Sequence, residues 1–115
     1  MSSVGQAAAT ELGGQFVQLE VTDDAPVETA LGVIASREGR LDVLVNNAGI
    51  STTSDVNGQL ALQVFDTNAI GTIRVTQAAL PLLEKSENPV VVNVSSALGS
   101  FCAVTNPEGG VPLTV

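Results

Sequence analysis

The sequence predicts an α/β fold, part of a doubly wound parallel sheet with the order β-α-β-α-β. Three observations predict it. Residues 41–45 and 90–94 are short, Val-rich and mostly apolar, the pattern of strands covered on both faces in a parallel sheet. Stretches with helical spacing separate the candidate strands, and parallel neighbours need crossovers of that length. Asn, Gly and Ser come directly after these strands, and such sheets bind ligands outside the carboxyl ends of their strands.

Taken in order, Gln6-Ala-Ala-Ala-Thr-Glu-Leu12 reads as the tail of a helix stopped by Gly13-Gly14. Residues 16–21, Phe-Val-Gln-Leu-Glu-Val, alternate apolar and polar like a half-buried strand. A helix over about 25–38 comes next, with Asp24 as N-cap, Pro26 in the first turn and Gly39 as the stop. Its apolar face is Val27, Ala30, Leu31, Ile34 and Ala35. The second strand, 41–45, runs into Asn46-Asn-Ala-Gly49. The longest helical pattern spans about 59–85 and carries two apolar stripes. One is Leu62, Phe65, Ala69, Ile73, Thr76, Leu80 and Leu83; the other is Ala61, Val64, Gly71, Val75, Ala78, Ala79 and Leu82. A helix apolar on two sides is expected to lie on the sheet with one and to meet a second subunit with the other. Pro81 is expected to bend its last turns. The third strand, 90–94, ends at Ser95-Ser96, and residues 97–115 read as a loop.

The composition excludes several chemistries. The 115 residues form one domain's worth of chain and hold no His, Tyr or Trp and a single Cys, Cys102. There is no Ser-His-Asp triad without His, and one Cys makes neither an internal disulfide nor a Cys-rich zinc site. No metal ligand set is expected. Cys102 reads as a small buried hydrophobe with a reduced thiol. Hydrophobic residues are 44% and mean hydropathy is +0.35, so the chain has apolar surface to bury. Twelve acids against four bases give a net charge of −8, which opposes nucleic acid and anionic membranes. No segment resembles a signal peptide or a bilayer span, so the expected location is cytoplasmic.

Four groups are candidates for chemistry. Asn46 to Gly49 reads simply as a turn whose Gly adopts an unusual dihedral, or as a ledge of small residues that lets a ligand approach the backbone. Asn68 interrupts the long helix at the seam of its two stripes. A buried amide there needs partners, and it either bonds neighbouring backbone or bends the helix to hold a water or a catalytic group. Ser95-Ser96 closes a turn or donates a hydrogen bond to a developing oxyanion. Thr22-Asp23-Asp24 offers Mg²⁺ ligands in principle, but the helix that starts at once favours capping.

Together the motifs say more. Leu-Asp-Val-Leu-Val-Asn-Asn-Ala-Gly, Phe-Asp-Thr-Asn68-Ala-Ile-Gly-Thr, Ala-Leu-Pro-Leu-Leu and Val-Val-Asn-Val-Ser-Ser-Ala-Leu-Gly occur in this order and at intervals that closely resemble the short-chain dehydrogenase/reductase family. The resemblance runs from about Phe16 to Gly99. It implies a partial Rossmann-like sheet and hydride transfer between NAD or NADP and a small-molecule carbonyl or alcohol. It places Asn46, Ala48 and Gly49 along the cofactor cleft. Glu20 and Val21 fall where the family has Asp-Val beside the adenine, with Glu as a departure. Asn68 matches the Asn of the catalytic tetrad and supports a proton-relay water. Ser96 matches the Ser that orients the substrate oxygen, and Val94 and Ser95 present backbone near the nicotinamide.

Two family features have no match. The Thr-Gly-x-x-x-Gly-x-Gly phosphate loop is absent, and so is Tyr-x-x-x-Lys, whose Tyr supplies the proton. The expectation is an incomplete NAD(P)-binding domain over 1–115, a middle fragment that is marginally stable and inactive alone, with the helix near 59–85 making a homo-oligomer in the full-length protein. A non-catalytic cofactor-binding or interaction module of the same fold is the alternative. A phospho-acceptor receiver domain fits the size, the acidity and the Asp pair, but it needs a Lys at a strand end, and Lys85 comes after a helix.

Overall fold

The computed structural model describes residues 2–51, 55–96 and 105. Helix α1 spans Ser2–Leu12 and helix α2 spans Asp24–Glu38. Strand β1 is Val43–Asn46. Helix α3, Gly58–Phe65, runs through a π-helical turn, Asp66–Ile70, into helix α4, Gly71–Leu83. Strand β2 is Val90–Asn93. Cys102 and the expected loop over 97–115 lie outside the described residues, Thr105 apart.

β1 and β2 form a two-stranded parallel sheet, in register from Val43 opposite Val90 to Asn46 opposite Asn93. The crossover between them is the long α3–α4 helix. Backbone bonds extend the ladder at both ends: Val90 donates to the Asp42 carbonyl at 2.9 Å and Val94 to the Asn46 carbonyl at 3.0 Å.

The order β-α-β-α-β needs correction at its first member. Residues 14–20 form no regular element, and no strand forms over 16–21. Alternation sets which side chains face inward, while a strand also needs a neighbour to complete its ladder. Among the described residues none lies alongside. Val17 still packs on the core and Val21 is buried.

The core lies between α2 and α4. Val21, Val27, Ala30, Leu31, Val75, Ala79, Leu82 and Leu83 are buried, with Ile34, Leu41 and Leu44 packed against them. Ala30 and Ala79 are almost fully inaccessible, so both helices bring small side chains to the contact. Each larger aliphatic group here contributes about 1.5–3 kcal/mol. The second helical stripe therefore supplies the core. Most of the first, including Leu62, Phe65, Ile73 and Leu80, stays exposed, as does Ala35 of α2.

The strands differ from expectation too. Val43 and Val45 are about half exposed, and Val90, Val91 and Val92 are exposed. Among the described residues helices cover one face of the sheet, reaching it through α4 and Leu44. The apolar pattern of a doubly covered strand is present without its second cover.

Local chemistry fixes the element ends. Asp23, not Asp24, caps α2, its carboxylate accepting from the Ala25 N–H at 3.2 Å. Gly39 ends α2 at φ +74°, a left-handed conformation that glycine adopts without penalty, and donates to the Ala35 carbonyl at 3.1 Å. The helix continues past Pro81 to Leu83. At the amino end of the sheet, Ser86 Oγ donates to Asp42 at 2.7 Å and Arg40 Nε pairs with the same carboxylate at 3.2 Å.

Candidate active site

The carboxyl ends of β1 and β2 gather most of the predicted site residues. Asn46 and Asn93 close the two strands side by side. Asn46 Nδ2 lies 2.8 Å from Asn93 Oδ1 and 3.1 Å from Thr76 Oγ1 on α4. One amide thus ties both strand ends to the helix, and the chain leaves β1 from a braced position. Beyond the strand ends lie Ala48, Gly49, Val94, Ser95 and Ser96, all exposed.

Asn68 sits at the centre of the π-helical turn. That turn is closed by the Gly71 N–H donating to the Asp66 carbonyl, five residues back. Such turns widen the helix by one residue and rotate the succeeding turns about the axis, and they occur often at functional sites. Here the rotation presents Asn68 to the loop after β1. Its Oδ1 accepts from the Ile50 N–H at 2.8 Å and its Nδ2 donates to the Ile50 carbonyl at 2.8 Å. Asn68 is exposed rather than buried, and its amide engages both backbone groups of Ile50.

Gly49 stands beside it. A Cβ there would lie 3.5 Å from Asn68 Oδ1, an ordinary contact, and its φ is not in the left-handed region. The expectation that a turn dihedral requires this glycine is therefore corrected. Neither backbone strain nor internal packing calls for Gly at 49. An added Cβ would meet only Asn68 and the Asn47 carbonyl oxygen, at ordinary van der Waals distances.

A cavity of about 510 Å³ opens next to this ledge, with Asn68 and Ser96 on its wall among apolar side chains. Ile50, Asn68 and Ser96 thus line one space.

Glu20 and Val21 are held differently. Glu20 Oε1 accepts from Thr22 Oγ1 at 2.8 Å and from its N–H at 3.2 Å, which shapes the turn into α2. The Val21 side chain is in the core, and its carbonyl accepts from Arg74 Nη1 at 3.1 Å. Arg74 also pairs with Asp66 at 2.7 Å and with Asp24 at 3.4 Å. Asp23 is a cap and Asp24 an ion-pair partner, so both carboxylates of the Asp pair have structural work. Arg74 connects this turn to the first residue of the π-helical turn.

Sequence reasoning passed over Asn93, Thr76, Asp66 and Arg74. Asn93 had a signal, a polar residue at the matching place in a second apolar strand. Arg74 had one as well, the single charged side chain of α4.

The sequence matches the short chain dehydrogenase family over residues 2–107, and the chain belongs to that family. Among its relatives, the (+)-neomenthol dehydrogenase of Capsicum annuum is 30% identical across 79% of this chain and 41% of its own. Retinol dehydrogenase 8 of Homo sapiens is 39% identical across 82% of this chain and 31% of its own. An NADPH-bound carbonyl reductase from chicken fatty liver shares the fold at a TM-score of 0.78 and 28% identity, covering 94% of this chain and 48% of that one. The chain spans less than half the length of these relatives. The fold is thus the Rossmann-type α/β fold of that family, here with a parallel sheet of two strands.

Proposed function

We propose that this chain carries the central part of the active site of an NAD(P)(H)-dependent oxidoreductase acting on a carbonyl or alcohol. The observation that carries the reading is Gly49, a glycine with neither a left-handed dihedral nor a tight contact, next to Asn68 in the segment that follows β1. Nicotinamide, when bound, would supply or accept the hydride. Asn46, Ala48 and Gly49 would hold it on one side, with Glu20 and Val21 toward the adenine end and backbone at Val94 and Ser95 on the other. Ser96 would donate a hydrogen bond to the substrate oxygen, whose developing negative charge needs a donor. Asn68 fixes Ile50 and so the floor of the site. The cofactor is NAD or NADP.

An alkoxide also needs a proton. None of the 115 residues is Tyr, so the phenol that the family pattern uses does not come from this chain. A cofactor-binding module of the same fold without catalysis is the second reading.

The test is amide NMR of the chain with millimolar NADPH. Shifts are expected at 46–49 and 94–96, and Gly49→Ala should abolish them while leaving the spectrum of the core unchanged. Shifts confined to the α2–α4 surface, or none, would refute the proposal. Hydride transfer to a carbonyl, monitored as loss of NADPH absorbance, separates the two readings.

Self-association of the full-length protein belongs to the same proposal. The exposed Leu62, Phe65, Ile73 and Leu80 form the apolar side of the long helix that no described residue covers. Ile73→Glu should shift the sedimentation of a dimer to that of a monomer; an unchanged distribution would exclude this face.

A further inference from the structure

We infer that the cavity beside Asn68 and Ser96 selects neutral, apolar carbonyl or alcohol substrates over anionic ones. The inference rests on the proposed oxidoreductase reading and adds the substrate class. The cavity holds about 510 Å³, within the range of small-molecule sites. Ile50, Val56, Leu60, Ala61, Val64 and Phe65 give it an apolar lining, and Ser51, Asn68 and Ser96 supply the polar groups. No charged residue lines it among the described residues.

That lining acts on a substrate in two ways. An apolar ring or chain gains by leaving water against these apolar side chains, while its single oxygen points to the polar groups. A carboxylate or phosphate on the substrate would lose hydration with no cation to replace it, and burying an unpaired charge is costly. The protein's net charge of −8 adds a repulsive field for the same anions. A larger groove between α2 and α4 has the opposite character, with Asp24, Glu28, Arg74 and Lys85 on its walls. Among the described residues, charge is therefore found at that groove and not at this cavity.

The experiment uses the chain itself and saturation-transfer NMR with two probes of similar size, cyclooctanone and 2-oxohexanoate, alongside NADPH. Cyclooctanone should bind at least about tenfold more tightly than the 2-oxo acid. Ala61→Leu fills the cavity and Val64→Asp charges its wall. Each should weaken the ketone about tenfold or more, with unchanged circular dichroism and unchanged NADPH shifts. Should Val64→Asp unfold the chain, Ala61→Leu alone carries the test. Equal or tighter binding of 2-oxohexanoate overturns the inference, and so does undiminished ketone binding by Ala61→Leu. NADPH binding without ketone binding overturns it and leaves the oxidoreductase reading standing. Ketone binding without NADPH binding does the reverse, and failure of both overturns both.

Discussion

Replacing Gly71 by Ala should destabilise the protein, although alanine is the better helix former. Gly71 is the first residue of α4 and is buried. A Cβ added there would lie 2.8 Å from Val21 Cγ2, 3.0 Å from Val21 Cβ and 3.2 Å from the Val21 carbonyl oxygen. Two of these atoms belong to the stem of a β-branched side chain or to backbone, which do not swing aside as a long side chain does. Val21 is itself in the core, and Arg74 holds its carbonyl. Overpacking of this kind costs about 1–3 kcal/mol, against a gain of about 1 kcal/mol from helix propensity, so a net loss of up to about 2 kcal/mol is expected. Gly32 is the control. It lies inside α2, and nothing stands within 4 Å of an added Cβ. Gly32→Ala should therefore stabilise by about 0.5–1 kcal/mol. Urea unfolding monitored by far-ultraviolet circular dichroism measures both. A Gly71→Ala variant as stable as Gly32→Ala would refute the close approach of α4 to Val21.

Arg74→Met removes the ties to Asp66, Asp24 and the Val21 carbonyl at once. Because the guanidinium is only partly exposed, a loss of about 1–3 kcal/mol is expected, with the side-chain amide resonances of Asn68 displaced; unmoved resonances would show that Arg74 does not set the π-helical turn. Arg74→Lys should recover part of the stability, since an ammonium lacks the planar fork that spans these partners. The Ser86 hydroxyl, and after it the Arg40 guanidinium, hold the Asp42 carboxyl below its ordinary range. With the folded value depressed, the contribution of Asp42 is present above its unfolded value and disappears as pH falls through the folded one. Melting temperatures recorded from about pH 6 to about pH 2 should therefore fall less steeply in Asp42→Asn than in the wild type, and parallel curves would contradict this.

Much of the fold was readable because helices report themselves locally. The Val27–Leu31 face, the Gly39 stop and the second stripe of the long helix are properties of spacing and single-residue conformation. The strands are not local. Residues 16–21 have the alternation of a strand, but alternation is a statement about side chains, and the backbone there has no ladder to join. Val43, Val45 and Val90 to Val92 show the same limit from the other direction. Their sequence asks for cover on both faces, and only a partner in space can provide it.

The site divides along the same line, and the division bears on how it works. Asn68 was conspicuous because it breaks two apolar stripes at their seam, and the π-helical turn explains that seam as a change of helical phase. What spacing did not reveal was its partner. An amide that both accepts from and donates to Ile50 determines where the chain goes after Gly49, so Asn68 acts on the ledge as well as beside it. Asn46 does the same one step earlier by joining Asn93 and Thr76. Two amides from distant positions thus fix the entry and the exit of a four-residue segment whose own side chains are small. Between those two anchors Gly49 keeps its place without needing a left-handed dihedral or a tight contact. A ledge held from both ends and left bare in the middle is suited to receiving a planar group, because the ordering cost is met in folding and not at binding.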